Sequence, residues 1–374
     1  MAGSRACNGG GRARVVTRAP LAVHSRLGDY AVEFVEGDAW ARELAALQHA
    51  FVVVDENVWA LHADGVLAPL RAAQPVVLPI GEEHKVYATV AELCDLVTTR
   101  AAKRNCVVVS VGGGITQDIT GYLASTLYRG VRWVYAPTTL LAMADSCIGG
   151  KTSLNHGAHK NLVGTMYPPQ RVLVYADFVG TLRDEDYASG LGEVVKLHLL
   201  GGQGAVDELR ASLPALLARE PEAVRRATYA GLCIKRGFIE DDEFDRGRRN
   251  LLNYGHCFGH AVETATGFAV PHGQAVVIGM LLAGVVARRR GLLSAAEERR
   301  RRVELFLPVL LDRPRLDGSA ITRVIEAMKY DKKRTGEGLA LVMVGDGLQA
   351  TQVADLGEGE ARDALAELPA LYLT

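Results

Sequence analysis

The stretch Cys106–Asp118, with the sequence CVVVSVGGGITQD, is the strongest local indication of how this chain folds. Its apolar, β-branched part, Cys106–Val111, predicts a buried strand, and Gly112–Gly114 follow that strand directly. Glycines let phosphate oxygens approach main-chain N–H groups, and a helix that begins near Thr116 would add its positive end. Gln117, however, stands where the dinucleotide-binding fingerprint requires glycine or alanine. The stretch therefore indicates either a nucleotide site or only a tight turn.

Apolar runs of the same kind flank this stretch on both sides. They predict four more strands, at Ala50–Val54, Val76–Ile80, Val131–Tyr135 and Val172–Tyr175. The apolar spacing of Tyr87–Ala102 predicts a helix between two of the strands. Alternating strands and helices are typical of a mostly parallel, doubly wound sheet. We therefore expect a Rossmann-like α/β domain at residues 29–180.

The pattern becomes helical after about Leu182. Apolar residues at helical spacing predict helices at Ala188–Leu200, Pro221–Asp241, His256–Thr266, Gln274–Arg290 and Ser294–Leu307. A late strand at Leu339–Val344 would enter a turn at Gly345–Gly347. Residues 181–374 are therefore expected to form a second, mainly α-helical domain. Clefts between domains commonly hold binding sites, so we expect one at this junction.

The composition argues against several classes of function. A formal net charge of -1 gives no electrostatic reason to expect a nucleic-acid partner. The longest stretch of apolar residues and glycine, Ala275–Ala287, is 13 residues long and too short to cross a bilayer. Six cysteines without a CxxC pair favour a reducing, cytoplasmic compartment. Residues 1–28 carry five arginines and no acid, which predicts a disordered extension or, as an alternative, a transit peptide.

Histidines and one acid form the most distinctive chemical pattern of the second half. His256 and His260 are four residues apart and share one face of a helix, so their spacing nominates both as metal ligands. His272 follows after a proline. Glu193 lies in an apolar helix, where a carboxylate is costly unless it is paired or metal-bound. Lys196, one turn further on, offers the competing explanation of a simple ion pair.

Other polar residues suit a nucleotide and an anionic substrate. Asp55 follows a strand and could accept hydrogen bonds from ribose hydroxyls or simply cap a helix. The segment Gly81–Lys85 also follows a strand and could contact ribose or adenine, or begin a helix. Several cations lie in glycine-rich or polar motifs, and if they converge they suit separated phosphate and carboxylate groups. These cations are Lys151, Lys160, Lys196, Lys235, Arg249 and the pair Lys332-Lys333. Taken singly, each is most simply interpreted as a surface charge.

Longer motifs occur in one order between about Asp55 and Lys333. They are GGGITQD, YRGVRWVYAPTTLLA, DSCIGGKTSLN, HKNLVGTMYPP, SGLGEVVK, RRNLLNYGHCFGHAVE, PHGQA and YDKK. Together they resemble the 3-dehydroquinate synthase family of sugar phosphate cyclases. The resemblance implies an N-terminal NAD-binding α/β domain, a helical C-terminal domain that binds zinc or cobalt, and a homodimer. It also implies a lyase that combines transient oxidation by NAD, elimination of phosphate, re-reduction and aldol closure of a carbocycle.

The same resemblance assigns roles to residues at matching positions. The metal ligands would be Glu193, His256 and His272, which replaces the spacing-based nomination of His260. The NAD contacts would be Asp55, Glu83, Lys85, Gly113, Gly114, Asp118, Thr138, Thr139, Asp145, Lys160 and Thr181. Catalytic contacts to the substrate would come from Lys151, Lys196, Lys235, Arg249, Asn253 and His260. Further substrate contacts would come from Asn161, Lys332, Lys333 and, from the neighbouring subunit, Arg129.

The identity of the substrate depends on the pocket for its carboxylate. Lys151, Lys235 and Arg249 stand where family members bind the carboxylate of 3-deoxy-arabino-heptulosonate 7-phosphate, so 3-dehydroquinate of the shikimate pathway is the expected product. Gly192 and Cys257 depart from the usual alanine and threonine of the family. These departures leave open a related cyclase of secondary metabolism, acting on an amino analogue, sedoheptulose 7-phosphate or glucose 6-phosphate. A metal-dependent polyol dehydrogenase and a non-catalytic homologue are the alternatives from other classes.

Overall fold

A seven-stranded sheet occupies the N-terminal half of the computed structural model, which describes residues 19–100, 103–157, 159–329 and 339–373. The strands of this half are β1 (Leu21–Val23), β2 (Tyr30–Phe34), β3 (Ala50–Asp55), β4 (Val76–Leu78), β5 (Val107–Gly112), β6 (Arg132–Pro137), β7 (Lys151–His156), β8 (His159–Met166) and β9 (Arg171–Val174). The sheet has the order β1-β2-β9-β6-β5-β3-β4. All neighbouring strands are parallel except β1, which is antiparallel to β2. β7 and β8 form a separate antiparallel hairpin.

The strand order places a topological switch point between β3 and β5. The chain passes from β3 to β4 at one edge and returns on the other side of β3 as β5. Val54 pairs with Val111, so the carboxyl ends of these two strands lie side by side. Every residue of β5 is buried, as expected for a parallel strand that is covered on both faces. Open α/β sheets bind their ligands at such a switch point.

The five strands predicted from the apolar runs are all present, and the predicted doubly wound α/β fold is confirmed. The prediction of disorder up to residue 28 is wrong at Leu21–Val23, because this segment pairs with β2 and buries Leu21 and Val23. Three residues give too little alternation for a strand pattern to be recognised. Residues 1–18 of the predicted extension lie outside the described residues.

Helices connect the strands and make up most of the second half. The first half contains α1 (Ala39–Ala45), α2 (Glu56–His62), α3 (Tyr87–Thr99) and α4 (Gly114–Thr126). The second half contains α5 (Asp184–Leu200), α6 (Gln203–Leu217), α7 (Pro221–Asp241), α8 (His256–Ala265), α9 (His272–Arg289), α10 (Ala295–Arg301), α11 (Gly318–Lys329) and α12 (Glu358–Leu371). β10 (Leu339–Val344) and β11 (Ala350–Leu356) form an antiparallel pair before α12.

The predicted helices are present, and several of their ends differ by a few residues, most of all for the last of them. The pattern predicts one helix over Ser294–Leu307, but α10 ends at Arg301 and the wider π-helical turn Arg302–Phe306 follows it. The sequence-based helix Tyr87–Ala102 corresponds to α3, and its last two residues lie outside the described part of the chain. The predicted late strand coincides with β10.

Two helices that carry candidate site residues approach each other closely through glycine. α9 is buried from Gly273 to Ala287, which agrees with the interpretation of its apolar stretch as a buried helix. A Cβ atom added at Gly273 would overlap the carbonyl oxygen of Ser189 in α5, and one at Gly192 would overlap the carbonyl oxygen of Gly273. This close contact brings the middle of α5 against the start of α9. Within the described ranges, no helix has the length and apolar character needed to cross a membrane.

Candidate active site

The turn after β5 is the candidate nucleotide site. α4 begins at Gly114, and in the described part of the chain no side-chain hydrogen bond caps its N-terminus. Apart from the neighbouring backbone of the turn and helix, no atom of the described residues lies within 4 Å of the position that a Cβ of Gly114 would occupy. Free N–H groups, a helix N-terminus and open space suit a phosphate, so the turn fits a dinucleotide. Gln117, which breaks the fingerprint, donates to the carbonyl oxygen of Ser146 and accepts from its hydroxyl, and so ties α4 to the segment that carries Asp145.

Asp55 lies at the carboxyl end of β3, beside this turn. Its Oδ1 accepts hydrogen bonds from the backbone N–H groups of Asn57 and Val58, so Asp55 caps α2 as the alternative interpretation predicts. Burial raises the pKa of Asp55, although these N–H groups act to lower it. The second carboxylate oxygen takes no part in either bond. Capping the helix and binding a ribose hydroxyl are therefore compatible.

A buried ion pair joins α4 to the segment before α3, and hydrogen bonds link this pair to the β7–β8 hairpin. The Lys85 ammonium lies 2.5 Å from Asp118 Oδ2 and donates to Asn161 Oδ1 at 2.6 Å. Ser153 donates its N–H and its hydroxyl to the same Asp118 carboxylate, both at 2.9 Å. Burial raises the pKa of Asp118 despite the opposing effect of Lys85. The structure thus brings together Lys85 and Asp118, predicted for the cofactor, and Asn161, predicted for the substrate.

The other predicted cofactor residues are spread around this network. Thr138 donates its N–H to the carbonyl oxygen of Gly112, so it adjoins the turn at Gly113 and Gly114. Thr139 follows it, and its hydroxyl accepts from a backbone N–H of the next turn. Glu83 is exposed.

Two further cofactor candidates lie away from the glycine turn. The hydroxyl of Thr181 lies 2.9 Å from the Nε2 of His62. The Lys160 ammonium lies 3.5 Å from the ring centre of Phe268, in the loop between α8 and α9. Lys160 therefore touches the second half of the chain.

Asp145 is the point at which the two halves of the candidate site meet. Its carboxylate lies 2.7 Å from the Lys235 ammonium and 3.5 Å from that of Lys196. Burial alone would raise the pKa of Asp145, but the two lysines lower it below its usual range. Burial lowers the pKa of Lys235, and attraction to Asp145 only partly opposes this. Asp145 therefore holds two buried ammonium groups side by side, and one of them, Lys196, also contacts Glu193.

Glu193 faces two histidines from the middle of α5. The side chain is fully buried, and its Oε1 lies 3.3 Å from His272 Nε2 and 3.7 Å from His256 Nε2. Among the residues that the structure describes, none donates a hydrogen bond of good geometry to either carboxylate oxygen, although Lys196 contacts Oε2. Ligand atoms bound to one tetrahedral zinc ion are separated by about 3.4 Å. The cluster therefore fits a divalent metal. Glu193 also forms the ion pair with Lys196 that the alternative interpretation predicts.

Each of these histidines is held through its other ring nitrogen. His272 Nδ1 lies 3.1 Å from Glu263 Oε2, and His256 Nδ1 lies 3.2 Å from the carbonyl oxygen of Tyr254. This arrangement turns both Nε2 atoms toward Glu193 and is the usual environment of metal-binding histidines. Burial lowers the pKa of His256 far below its ordinary value, so the ring is neutral and able to bind a metal.

His260 belongs to the same cluster. Ring nitrogens of His256, His260 and His272 lie within 4.8 Å of one another, so the trio is itself a candidate set of metal ligands. His260 is more exposed than the other two, and its ring centre is 5.1 Å from that of His256. The geometry therefore agrees with the nomination of His260 from helical spacing and also with the assignment of Glu193, His256 and His272.

The predicted carboxylate pocket is formed by a loop and the start of β7. Arg249 is buried, and its guanidinium donates to the backbone carbonyls of Glu243 and Gly149. The Lys151 ammonium lies 2.5 Å from Asp245 Oδ2. Burial lowers the pKa of Arg249, while the charge of Asp245 opposes this effect. The two cations thus lie near one carboxylate of the protein itself.

Other predicted substrate residues are less informative. Asn253 donates its amide to the carbonyl oxygen of Asn250. Arg129 is exposed. The pair Lys332-Lys333 lies outside the described residues.

Two acids near the site were not assigned from the sequence. Glu263 follows His256 and His260 at helical spacing on α8, so the i, i+4, i+7 pattern could have identified it. Asp245 lies in the loop after α7 with a φ of 58°, and no periodic pattern marks it.

The fold and this geometry define a class of protein, an α/β chain in which one segment links a glycine turn to two buried lysines. One of these lysines also contacts a buried Glu–His cluster suited to a divalent metal. A family model described as 3-dehydroquinate synthase N-terminal matches residues 75–189, and one described as 3-dehydroquinate synthase C-terminal matches residues 190–334. A curated 3-dehydroquinate synthase of Methylococcus capsulatus is 38% identical over 321 residues, which cover 84% of this chain and 88% of the relative. The chain therefore belongs to the 3-dehydroquinate synthase family, and the resemblance inferred from its motifs is confirmed.

Two further comparisons agree with this assignment. A 3-dehydroquinate synthase of Acidithiobacillus ferrooxidans is 39% identical over 247 residues, which cover 65% of this chain and 68% of the relative. The solved structure of ValA, the 2-epi-5-epi-valiolone synthase of Streptomyces hygroscopicus, with NAD+ and Zn2+ bound, is 27% identical with a TM-score of 0.78. The match covers 91% of this chain and 97% of that structure. The expected fold is therefore confirmed by a solved relative.

Proposed function

We propose that this enzyme is a sugar phosphate cyclase that converts 3-deoxy-arabino-heptulosonate 7-phosphate to 3-dehydroquinate and phosphate. NAD and a divalent metal, zinc or cobalt, would be its cofactors. Curated relatives that are 35% to 39% identical carry the name 3-dehydroquinate synthase, which supports the reaction. The NAD+ and Zn2+ in the ValA structure support the cofactors. The chain's own glycine turn and Glu–His cluster fit both groups.

The convergence at Asp145 is the observation that carries this proposal. Lys196 and Lys235 meet Asp145, and Lys196 also contacts Glu193 in the candidate metal cluster. The segment that carries Asp145 is tied to the glycine turn through Gln117. The candidate nucleotide site, the candidate metal cluster and the buried cations therefore adjoin one another. A phosphorylated substrate that is oxidised and then loses phosphate needs all three in one place.

When bound, NAD would accept and return a hydride, and the metal would polarise the carbon that carries the reacting hydroxyl. The protein's own groups would bind and orient the substrate. The ammonium groups of Lys196 and Lys235 would attract its anionic groups in a buried site, where water screens charge weakly. His260, exposed beside His256, would move protons between substrate and solvent.

The carboxylate of the substrate would bind between Lys151 and Arg249. Arg249 has five N–H donors and uses two of its terminal nitrogens for backbone carbonyls, so donors remain for an anion. Lys151 would exchange part of its contact with Asp245 for the substrate. A sugar phosphate without a carboxylate would leave this positive charge without an added partner.

The assembly and the location in the cell are part of the same proposal. We expect a homodimer in which Arg129 reaches the phosphate pocket of the partner subunit. Arg129 supports this because it is exposed in a turn where Tyr128, Arg129 and Gly130 all have positive φ. The NAD-binding domain would span residues 29–180 and the metal-binding domain residues 181–374. A cytoplasmic location is expected from the cysteine content.

The test offers the three candidate sugar phosphates in parallel to the enzyme loaded with NAD and zinc. The substrates are 3-deoxy-arabino-heptulosonate 7-phosphate, sedoheptulose 7-phosphate and glucose 6-phosphate. We expect inorganic phosphate and 3-dehydroquinate from the first, with no accumulation of NADH. Treatment with a chelator should abolish turnover, and added zinc or cobalt should restore it. Stoichiometric NADH without phosphate release would instead identify a polyol dehydrogenase.

A further inference from the structure

A cleft behind α5 has no part in the reaction described above. His198 follows Glu193 by five residues, so at about 100° per residue it is turned about 140° away from the metal cluster. It lines an open cleft of about 220 Å³ together with Glu208, Ala211 and Ser212 of α6 and Arg226 and Ala227 of α7. We call this the His198 cleft. A single water needs only about 10–15 Å³, so a small molecule can enter.

His198 offers the cleft a hydrogen-bond acceptor. The residue is 1% exposed, and its Nδ1 lies 2.7 Å from the carbonyl oxygen of Val194. A carbonyl only accepts, so Nδ1 carries the proton and Nε2 keeps its lone pair. Burial lowers the pKa of His198, which keeps the ring neutral. Among the described residues, nothing donates a hydrogen bond to Nε2.

Two more acceptors lie on the α6 wall of the His198 cleft. The Ser212 hydroxyl donates to the carbonyl oxygen of Leu209 at 3.1 Å, so its lone pairs are available. Glu208 precedes Ser212 by one turn, and its charge acts on His198. Within the described ranges Glu208 has no ion-pair partner. The cleft thus presents a neutral nitrogen, a hydroxyl oxygen and a carboxylate, all as acceptors.

Arg226 on α7 is the one cation among the six residues that line the cleft. It forms no ion pair with Glu208 or with another carboxylate of the described chain. Its neighbour Arg225, by contrast, is paired with Glu36 and Glu222. A guanidinium binds a carboxylate through two parallel hydrogen bonds. The positive and negative groups of the cleft are therefore available to a ligand that carries both charges.

We propose that the His198 cleft binds a small α-amino acid. Its ammonium group has three N–H donors and no acceptor, which matches His198 Nε2, Ser212 Oγ and the Glu208 carboxylate. Its carboxylate binds Arg226. Ala211 and Ala227 leave room for a short side chain, and the cleft is below the usual 300–1,000 Å³ of drug-sized sites. The site is separate from the proposed reaction and does not depend on it.

Calorimetric titration of the full chain, loaded with NAD and zinc, tests this site. The probes are L-valine, its methyl ester, which lacks the carboxylate, and N-acetyl-L-valine, which lacks the ammonium. L-valine should saturate the protein, and each blocked form should bind at least about tenfold more weakly. The substitutions Arg226→Ala and Ser212→Ala should each weaken the binding of L-valine by a similar factor. Arg299→Ala, an exposed arginine of α10, is the matched control and should leave binding unchanged.

Three results would overturn the proposal. One is the absence of saturation by glycine, L-alanine and L-valine up to about 20 mM. Another is equal binding of L-valine and its two blocked forms. The third is binding by Arg226→Ala that equals that of the parent chain. Phosphate release by Arg226→Ala should match that of the parent chain. Failure of the proposed reaction can therefore be distinguished from failure of the proposed amino-acid site.

Discussion

Glu263 acts on the candidate metal centre through one hydrogen bond, so its effect can be tested directly. Its carboxylate lies 3.1 Å from His272 Nδ1 and fixes which ring nitrogen faces Glu193. Partners of this kind change metal affinity by about 10–100-fold when removed. We expect Glu263→Ala to lower zinc affinity by this factor, measured by competition with a chelator of known affinity. Glu92→Ala, on the exposed face of α3, is the control. Unchanged zinc affinity would show that Glu263 does not orient His272.

Arg249 has an observed structural role and a proposed substrate role, and one substitution would disturb both. It is 3% exposed and donates to backbone carbonyls of both Glu243 and Gly149, so it also holds two segments in place. Loss of a buried ion pair with a substrate carboxylate costs about 2–5 kcal/mol. Arg249→Lys keeps the charge and loses the planar fork. Because the charge is kept, we expect kcat/KM for the carboxylated substrate to fall by up to about 30-fold, the lower end of that range.

A second substrate separates the two roles of Arg249. If Arg249 binds the carboxylate, the loss should be much smaller for any residual turnover of sedoheptulose 7-phosphate, which lacks that group. An equal loss for both substrates would assign Arg249 to structure alone. Circular dichroism of Arg249→Lys gives the accompanying check on folding.

Site residues could be predicted from the sequence where they recur at helical spacing, but not where they lie in loops. His256, His260 and Glu263 share a face of α8, so their spacing predicts their meeting. Glu193 lies on another helix, where its apolar surroundings indicated an ion pair or a metal, and the resemblance to the family assigned it as a ligand. Asp245 could not be predicted, because its position beside Lys151 depends on a loop with positive φ. Contacts of this kind follow from tertiary packing and not from local pattern.

Helices α5 and α9 carry two of the candidate metal ligands, Glu193 and His272, and meet through a glycine contact. A substitution at this contact tests how much it contributes to stability. A Cβ at Gly273 would overlap the carbonyl oxygen of Ser189, and backbone atoms cannot turn away as a flexible side chain can. We expect Gly273→Ala to lower the free energy of unfolding by about 1–3 kcal/mol or more. Urea denaturation followed by circular dichroism measures this change.

Gly204→Ala is the matched control for this substitution. Gly204 lies near the start of α6, and no atom lies within 4 Å of the position that its Cβ would occupy, so alanine should stabilise the helix by about 0.5–1 kcal/mol. The two alanine substitutions should therefore have opposite signs. A Gly273→Ala protein as stable as the parent would mean that α5 and α9 can separate without cost.

Helices and strands with a long, regular pattern of apolar residues were predictable, and short or irregular ones were not. β5 is an unbroken buried run, and α7 was predicted with its observed ends. β1 is too short to show alternation, and the hairpin β7–β8 has a mixed, polar sequence. α6 carries Gly202 before it and Pro214 within it, which interrupt the helical signal.

The two halves of the chain are joined at the candidate site by contacts between residues far apart in sequence. Lys235 reaches Asp145, Arg249 reaches Gly149, and Lys160 lies over Phe268. No local pattern predicts such contacts, because each depends on how a loop of one half meets a helix or loop of the other. The family resemblance supplied what periodicity could not, namely that these cations would converge.

The last prediction follows from the proposed dimer, because each active site would contain residues of both chains. In this proposal a site uses His256 of its own chain and Arg129 of the partner. Arg129→Ala and His256→Ala should therefore each inactivate the homodimer, for different reasons. In a mixed dimer, one site receives both defects and the other receives none.

Mixing the two inactive variants should restore activity to a defined level. If chains exchange at random, half of the dimers are mixed and one of their two sites is intact, so about a quarter of the parent activity should return. The mixture must first be unfolded and refolded together, or held until the subunits exchange, and light scattering should give the mass of a dimer. Arg129→Ala protein taken through the same procedure without the second variant gives the background activity. If the dimer forms and activity does not return above that background, Arg129 acts within its own chain, and the shared phosphate pocket is wrong.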